Sequence, residues 1–333
     1  MNSSTAASPT ASSLDTTGER WDARVWGTLV VLCGVILLDG LDVSMVGVAL
    51  PSIRSDLHLS TSSLQWVVSG YVLGYGGLLL LGGRAADLLG RRRVFLVALA
   101  AFVVASLLGG LTSDGTLLVV TRFLKGASAA FTAPAGLSII TTRFAEGPAR
   151  NRALSIYTAC GASGFSLGLV MGGVLTQIGW RWTFFLPVPI ALAILLAARR
   201  LIPHDAPLER ERGGYDLAGA FAITASMLLL VATVVEAPTA GWGSLRTLAS
   251  FLLVAALLAA FFTIERRTPH PLIRLGILRA SALARANVVA MAVFGGYVGF
   301  QFIATLYLQG VLGWSALETA LAFLPAGLIV AFG

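Results

Sequence analysis

The sequence predicts an all-α, polytopic integral membrane protein, and three observations carry that reading. The 333 residues are 56% hydrophobic and 12% charged, with a mean hydropathy of +0.85, whereas soluble domains carry about 25% charged residues. Apolar runs near the length of about 20 residues that a spanning helix needs recur along the chain. The basic residues fall in alternate connections between those runs.

The first 24 residues are rich in Ser, Thr and Ala and lack a basic start leading into a short apolar core. They read as a polar, disordered tail and not as a cleavable signal peptide. Residues 25–198 hold six runs, Trp26–Leu50, Leu64–Leu81, Val94–Leu111, Leu117–Ile140, Ala153–Leu175 and Trp182–Ala198. The stretch RRLIPHDAPLERERGGYD over 199–216 mixes charge with Pro and Gly, as a linker does. Two more runs, Leu217–Val235 and Thr247–Ile264, make a helix pair over 217–264, and a basic loop over 265–286 follows. Residues 287–333 contain Asn287–Leu308 and the opening of a tenth run near Leu317, still apolar at Gly333. They are expected to start a second bundle within a longer product.

With the amino terminus placed inside, the inner segments hold 18 arginines: Arg20 and Arg24; Arg84, Arg91, Arg92 and Arg93; Arg143, Arg150 and Arg152; Arg199, Arg200, Arg210 and Arg212; Arg266, Arg267, Arg274, Arg279 and Arg285. The outer connections hold three, Arg54, Arg181 and Arg246. Basic residues collect on the cytoplasmic side because moving them across is costly. The net charge of +7 is therefore a topological feature, and no nucleic-acid partner is expected. Arginine outnumbers lysine 22 to 1, which hints at a GC-rich bacterial genome and hence a bacterial cell membrane.

Cys33 and Cys160 lie inside apolar runs and read as buried thiols, not as a disulfide or metal site. No G-x-x-x-x-G-K-[ST] occurs, so an ATP-driven pump is disfavoured. The histidines, His58, His204 and His270, sit in connections at both faces and cannot converge, which disfavours an enzyme.

Four charged residues belong to no connection: Asp39, Asp42, Arg122 and Lys125. An Asp near a helix centre costs about 2.5–3.5 kcal/mol on insertion, while each Leu, Ile or Val returns only about 0.3–0.6 kcal/mol. Spacing of three places the two aspartates roughly 60° apart and about 4.5 Å along one helix. Asp42 lies eight residues before the outer end of the first run and Arg122 five after the outer end of the fourth, depths of about 12 and 8 Å. Arg122 is thus the predicted partner of Asp42. Two blander readings stay open: an aspartate that merely hydrogen-bonds a neighbouring helix, and basic side chains, Lys125 above all, that snorkel to the outer interface.

Two motifs remain. Between the second and third runs lies GGRAADLLGRRR, from Gly82 to Arg93, read as a basic loop in which Gly90 permits a tight reversal and Asp87 can cap a helix or pair with arginine. In the fifth run Gly161, Gly164, Gly168 and Gly172, with Gly173 beside them, form a stripe that lets two helix backbones approach.

The loop GxxxADxxGRR resembles that of the major facilitator superfamily. LDVSMVGVALP from Leu41 to Pro51 is similar to the first-helix motif of its 14-helix drug:proton antiporter branch, with Ser44, Met45 and Gly47 for the usual Thr, Ile and Asn. RFLKGASAA from Arg122 to Ala130 resembles the family's arginine motif, with Lys125 for Gln and Ser128 for Gly. LYLQGVLGWSALETALAFLP from Leu306 to Pro325 resembles the junction of the ninth and tenth helices, and the glycine stripe resembles the antiporter motif with Leu169 in place of its proline. The resemblance implies a major facilitator fold: one complete six-helix bundle, an inserted helix pair and the start of a second bundle, truncated at the carboxy terminus. It further implies export of a hydrophobic or amphipathic, drug-like molecule in exchange for protons, with no cofactor beyond the proton gradient, by a monomer. Asp42 and Arg122 would serve proton coupling, with Asp39 a candidate beside them, and Gly83, Asp87, Gly90, Arg91 and Arg92 would form a cytoplasmic latch. An uptake symporter and a non-transporting receptor or scaffold are the alternatives.

Overall fold

A computed structural model describes residues 21–203, 217–268 and 281–332. Most of the amino-terminal tail, most of the linker and the middle of the basic loop, with His204 and His270, lie outside the described residues. Among the described residues eleven helices follow one another: α1 (Ala23–Asp56), α2 (Thr61–Leu89), α3 (Arg91–Leu111), α4 (Gly115–Arg143), α5 (Pro148–Ile178), α6 (Trp182–Phe185), α7 (Pro187–Leu201), α8 (Leu217–Ala240), α9 (Leu245–Arg267), α10 (Ser281–Gly310) and α11 (Ala316–Phe332). Among the described residues no strand occurs, and nine segments are long and apolar enough to cross a membrane. A backbone in lipid must satisfy its own hydrogen bonds, which a helix does.

Helix starts follow local chemistry. Asp114 accepts from the Leu117 N–H at 2.7 Å and Ser60 from that of Ser63 at 3.1 Å. Ser315 and Glu318 form a reciprocal capping box: Glu318 Oε2 accepts from the Ser315 N–H at 2.7 Å, and Ser315 Oγ from the Glu318 N–H at 3.2 Å. The sixth run is one crossing parted into α6 and α7 at Pro187, which has no N–H to offer the carbonyl four residues back.

The structure corrects the reading of GGRAADLLGRRR as a loop. Gly82 to Leu89 continue α2 as helix, Arg91 starts α3, and the reversal is Gly90 alone, at φ 92°. A side chain there costs about 1–2 kcal/mol. Asp87 is exposed and α3 has no side-chain cap, so capping by Asp87 is not observed. A Cβ on Gly82 would run into the Ala130 carbonyl, whereas one on Gly83 would meet only Pro134, at 3.8 Å. Close packing therefore requires the first glycine and not the second.

Two helix pairs organise the first bundle. α1 packs along α5 and α2 along α4, with α3 between α4 and α7. The stripe on α5 makes the first pair tight: a Cβ on Gly164 would strike the Leu37 carbonyl, one on Gly168 the Ser44 hydroxyl, and one on Gly172 would lie 2.8 Å from Met45 Cα. Gly173 serves another neighbour, since its Cβ would sit 2.9 Å from Leu317 Cα on α11.

The core divides in two along the bundle axis. One apolar cluster, with Leu32, Leu38, Phe95, Phe102 and Ile140, fills the arginine-rich end. The other, with Val46, Leu50, Leu64, Leu118 and Phe184, fills the arginine-poor end. The α8–α9 hairpin leans on α2 through α8. α10 meets the first bundle only toward the arginine-poor end: Tyr297 packs on Phe165 with ring centroids 5.6 Å apart, and Gln309 Nε2 donates to the Val48 carbonyl at 3.1 Å. Its other half is bare, with Val288 and Met291 exposed.

Replacing Gly164 with Val should separate α1 from α5. Overpacking against backbone costs about 1–3 kcal/mol or more, so the purified protein should unfold at lower temperature. Gly161→Ala, whose Cβ would meet only the Ile36 side chain, at 3.1 Å, and no backbone of α1, should unfold much closer to wild type than Gly164→Val. Equal behaviour of the two variants would contradict the packing described.

Candidate functional site

Packing on α5 uses the α1 face that carries Leu37, Leu41, Ser44 and Met45. Asp42 is thereby turned away from α5 and toward α4. It sits at the waist between the two apolar clusters with none of its surface exposed.

Two cations from α4 meet it there. Arg122 Nη1 donates to Asp42 Oδ2 at 2.5 Å, and Lys125 Nζ donates to Asp42 Oδ1. Arg122 and Lys125 are three residues apart, so both project from one face of α4. Arg122 is 2% exposed and Lys125 is fully buried. The predicted Asp42–Arg122 pair is thus present, and the snorkelling reading of Lys125 is overturned. A lysine reaching for an interface would leave its ammonium in water; this one spends it on a carboxylate.

The two cations are held differently. Arg122 Nε also donates to the Val67 carbonyl of α2 at 3.1 Å, and its guanidinium lies 4.7 Å from the centre of the Tyr71 ring. The Lys125 ammonium lies 4.8 Å from the ring centres of both Phe102 and Phe184. Each ring presents its negative face to a desolvated cation. Asp42 is the sole hydrogen-bond acceptor of Lys125 among the described residues.

Asp39 lies one turn nearer the arginine-rich end, 8% exposed, with no hydrogen bond or ion pair among the described residues. One carboxylate against two cations leaves an excess positive charge in the waist.

Sequence reasoning counted Lys125 among the four charged residues where function is sought but gave it no role, and did not assign Val67, Tyr71, Phe102 or Phe184 to the site. A signal for the first existed: Lys125 is the only lysine in a chain with 22 arginines, and it sits three residues from Arg122. The residues expected to form a latch are elsewhere. Gly83, Asp87, Gly90 and Arg91 lie at the arginine-rich end of α2 and α3, while Arg92 donates to the Ile202 carbonyl at 2.9 Å and the Arg199 carbonyl at 2.7 Å, joining α3 to the end of α7. They do not touch the charged waist.

A helical bundle with nine candidate spans among the described residues and buried opposite charges is a multi-pass membrane protein. The family model of the Major Facilitator Superfamily matches residues 32–333, and the chain belongs to that family. It is 40% identical over 313 residues to the puromycin resistance protein of Streptomyces alboniger, covering 94% of this chain and 62% of that protein. It is 39% identical over 306 residues to a cephamycin export protein of Amycolatopsis lactamdurans, covering 91% and 63%. The chain thus spans about three fifths of the length of these relatives. Among solved structures it resembles the human organic anion transporter MFSD10 with a TM-score of 0.59 at 17% identity, covering 93% of this chain and 71% of that one. At that identity the likeness concerns the fold alone.

Substitution should rank the three residues. Asp42→Ala leaves two buried cations without a counter-charge, a loss of about 3–5 kcal/mol for breaking a buried pair. Lys125→Met preserves the Asp42–Arg122 bond and should cost less. Thermal unfolding of the purified variants gives the order; a Lys125→Met protein less stable than Asp42→Ala would show that Asp42 does not hold the cluster.

Proposed function

We propose that the complete protein is a secondary active transporter that exports a hydrophobic or amphipathic, antibiotic-like molecule across a bacterial cell membrane in exchange for protons. The observation that carries the proposal is the fully buried Asp42 carboxylate clamped by Arg122 and Lys125 across the contact of α1 with α4.

A proton arriving at Asp42 removes the charge that both cations bind. Arg122 keeps its bond to Val67 and its place on Tyr71. Lys125 keeps only two phenyl faces. α4 is then freed from α1 at the waist. A ligand shifts a conformational equilibrium only through its different affinity for the two states, and here the proton has that difference because the clamp exists in one of them. Asp39, slightly exposed on the arginine-rich side, would lie on the path by which the proton leaves Asp42 for the cytoplasm.

The direction of transport rests on the relatives, one named for puromycin resistance and one for cephamycin export. The positive-inside rule makes the arginine-rich end, with the amino terminus, cytoplasmic. There Gly83, Asp87, Gly90, Arg91 and Arg92 would act as a latch, with Gly90 as the joint between α2 and α3. The transporter would work as a monomer and need no cofactor beyond the proton gradient.

The test uses the complete reading frame expressed in an efflux-deficient bacterium. Puromycin, a cephamycin and an amphipathic dye are followed in inverted vesicles with and without an imposed pH gradient. Gradient-driven uptake by these vesicles is expected for wild type and should fall to background for Asp42→Asn, which retains shape but cannot carry a proton. Undiminished gradient dependence in Asp42→Asn would remove Asp42 from the mechanism.

A further inference from the structure

We infer that the groove between α3 and α7 at the arginine-rich end binds an anionic phospholipid. The groove encloses about 640 Å³, and its walls come from the end of α2, the first turns of α3 and the last turns of α7. Small-ligand sites occupy about 300–1,000 Å³, so the groove is large enough to be a site.

Its chemistry is layered. On α3 the lining begins with Arg92 and Arg93 and continues inward with Leu96, Val97 and Ala100, all on one helix face. On the opposite wall Arg199 stands at the end of α7 and Leu195 one turn deeper. α3 starts at this end and α7 finishes there, yet both walls read arginine first and hydrocarbon next. That is the order of a phospholipid, a phosphate at the surface and an acyl chain below it.

The arginines also divide by task. Arg92 donates to the Ile202 and Arg199 carbonyls and fixes α3 to α7. Arg93 and Arg199 are exposed, and their guanidinium groups enter no hydrogen bond or ion pair among the described residues. Two forked donors facing one cavity are suited to phosphate oxygens. Val97 is 64% exposed, which a water-soluble anion would leave bare and an acyl chain would cover. The charge complementarity and the apolar floor together single out an anionic lipid over a free anion or an acidic peptide. Of the residues that line the groove, the transport proposal uses Arg92 alone, which the test below leaves in place.

The full chain, purified in detergent, is titrated with phosphatidylglycerol and with phosphatidylcholine of the same acyl composition, and bound lipid is counted by native mass spectrometry. Wild type should prefer phosphatidylglycerol. Juxtamembrane basic residues each contribute about 1 kcal/mol toward anionic lipid, so Arg93→Gln with Arg199→Gln should reduce the preference by about tenfold or more. Arg266→Gln with Arg267→Gln, exposed at the end of α9, should leave it unchanged. Val97→Trp keeps every arginine and fills the groove, and it too should reduce binding. Unfolding temperatures of all variants should match wild type, since the substituted side chains are exposed. Retention of the preference in the Arg93/Arg199 variant, an equal loss in the Arg266/Arg267 variant, no effect of Val97→Trp, or displacement of the lipid by millimolar inorganic phosphate or an acidic peptide would each overturn the inference.

Discussion

The attraction between one carboxylate and two cations at the waist of the bundle is the constraint around which the other contacts are arranged. α1 belongs to a pair with α5, and α2 to a pair with α4, and the two pairs meet through an apolar cluster on either side of the charged waist. Asp42, Arg122 and Lys125 add the polar link between them, joining α1 to α4. Buried ion pairs are poor sources of stability, since the cost of removing both charges from water often exceeds their mutual attraction. A Leu in place of each would fill the waist at lower cost, joining the apolar clusters above and below into one core. Stability alone does not account for charges here, which supports the proposed role as an interaction that a proton would undo.

The glycines of α5 are part of the same device. Gly164, Gly168 and Gly172 draw α1 close enough that its backbone touches theirs. Such contact fixes the rotation of α1 about its own axis. A rotation of one residue, 100°, would turn Asp42 from α4 to the acyl chains or the apolar interior. The rotation of the helix and the site of the charge are thus set by the same residues.

Much of this was legible in the sequence. The spans followed from hydropathy, and the alternation of arginines supported their number. The Asp42–Arg122 pair followed from matched depths on two helices. What was not legible has physical reasons. Lys125 could equally have reached for the interface, because a long apolar stem allows both outcomes and only packing against Phe102 and Phe184 decides. GGRAADLLGRRR read as a loop because its charges are those of a connection. Helices, however, continue past the hydrocarbon wherever nothing ends them, and α2 is ended only by Gly90. The close-packed glycine proved to be Gly82, since the rotation of α2 against α4 is not contained in a motif.

The choice of lysine at position 125 carries a last step of argument. A chain that uses arginine 22 times elsewhere has placed its single lysine where it is fully buried. The slot between two phenyl rings suits a compact ammonium, whereas a planar guanidinium needs a face to stack on and partners for five donors. Arg122 finds such partners in Val67 and Tyr71; position 125 offers one carboxylate oxygen and two rings. In the proposed mechanism the asymmetry would give the cations different fates when Asp42 is neutral, one still tethered to α2 and the other held only by a weaker, uncharged acceptor and two rings. A clamp whose two arms let go unequally has a direction of opening. Under the proposed mechanism that direction would run from the Lys125 side, next to α3 and α6, toward the anchored side at α2.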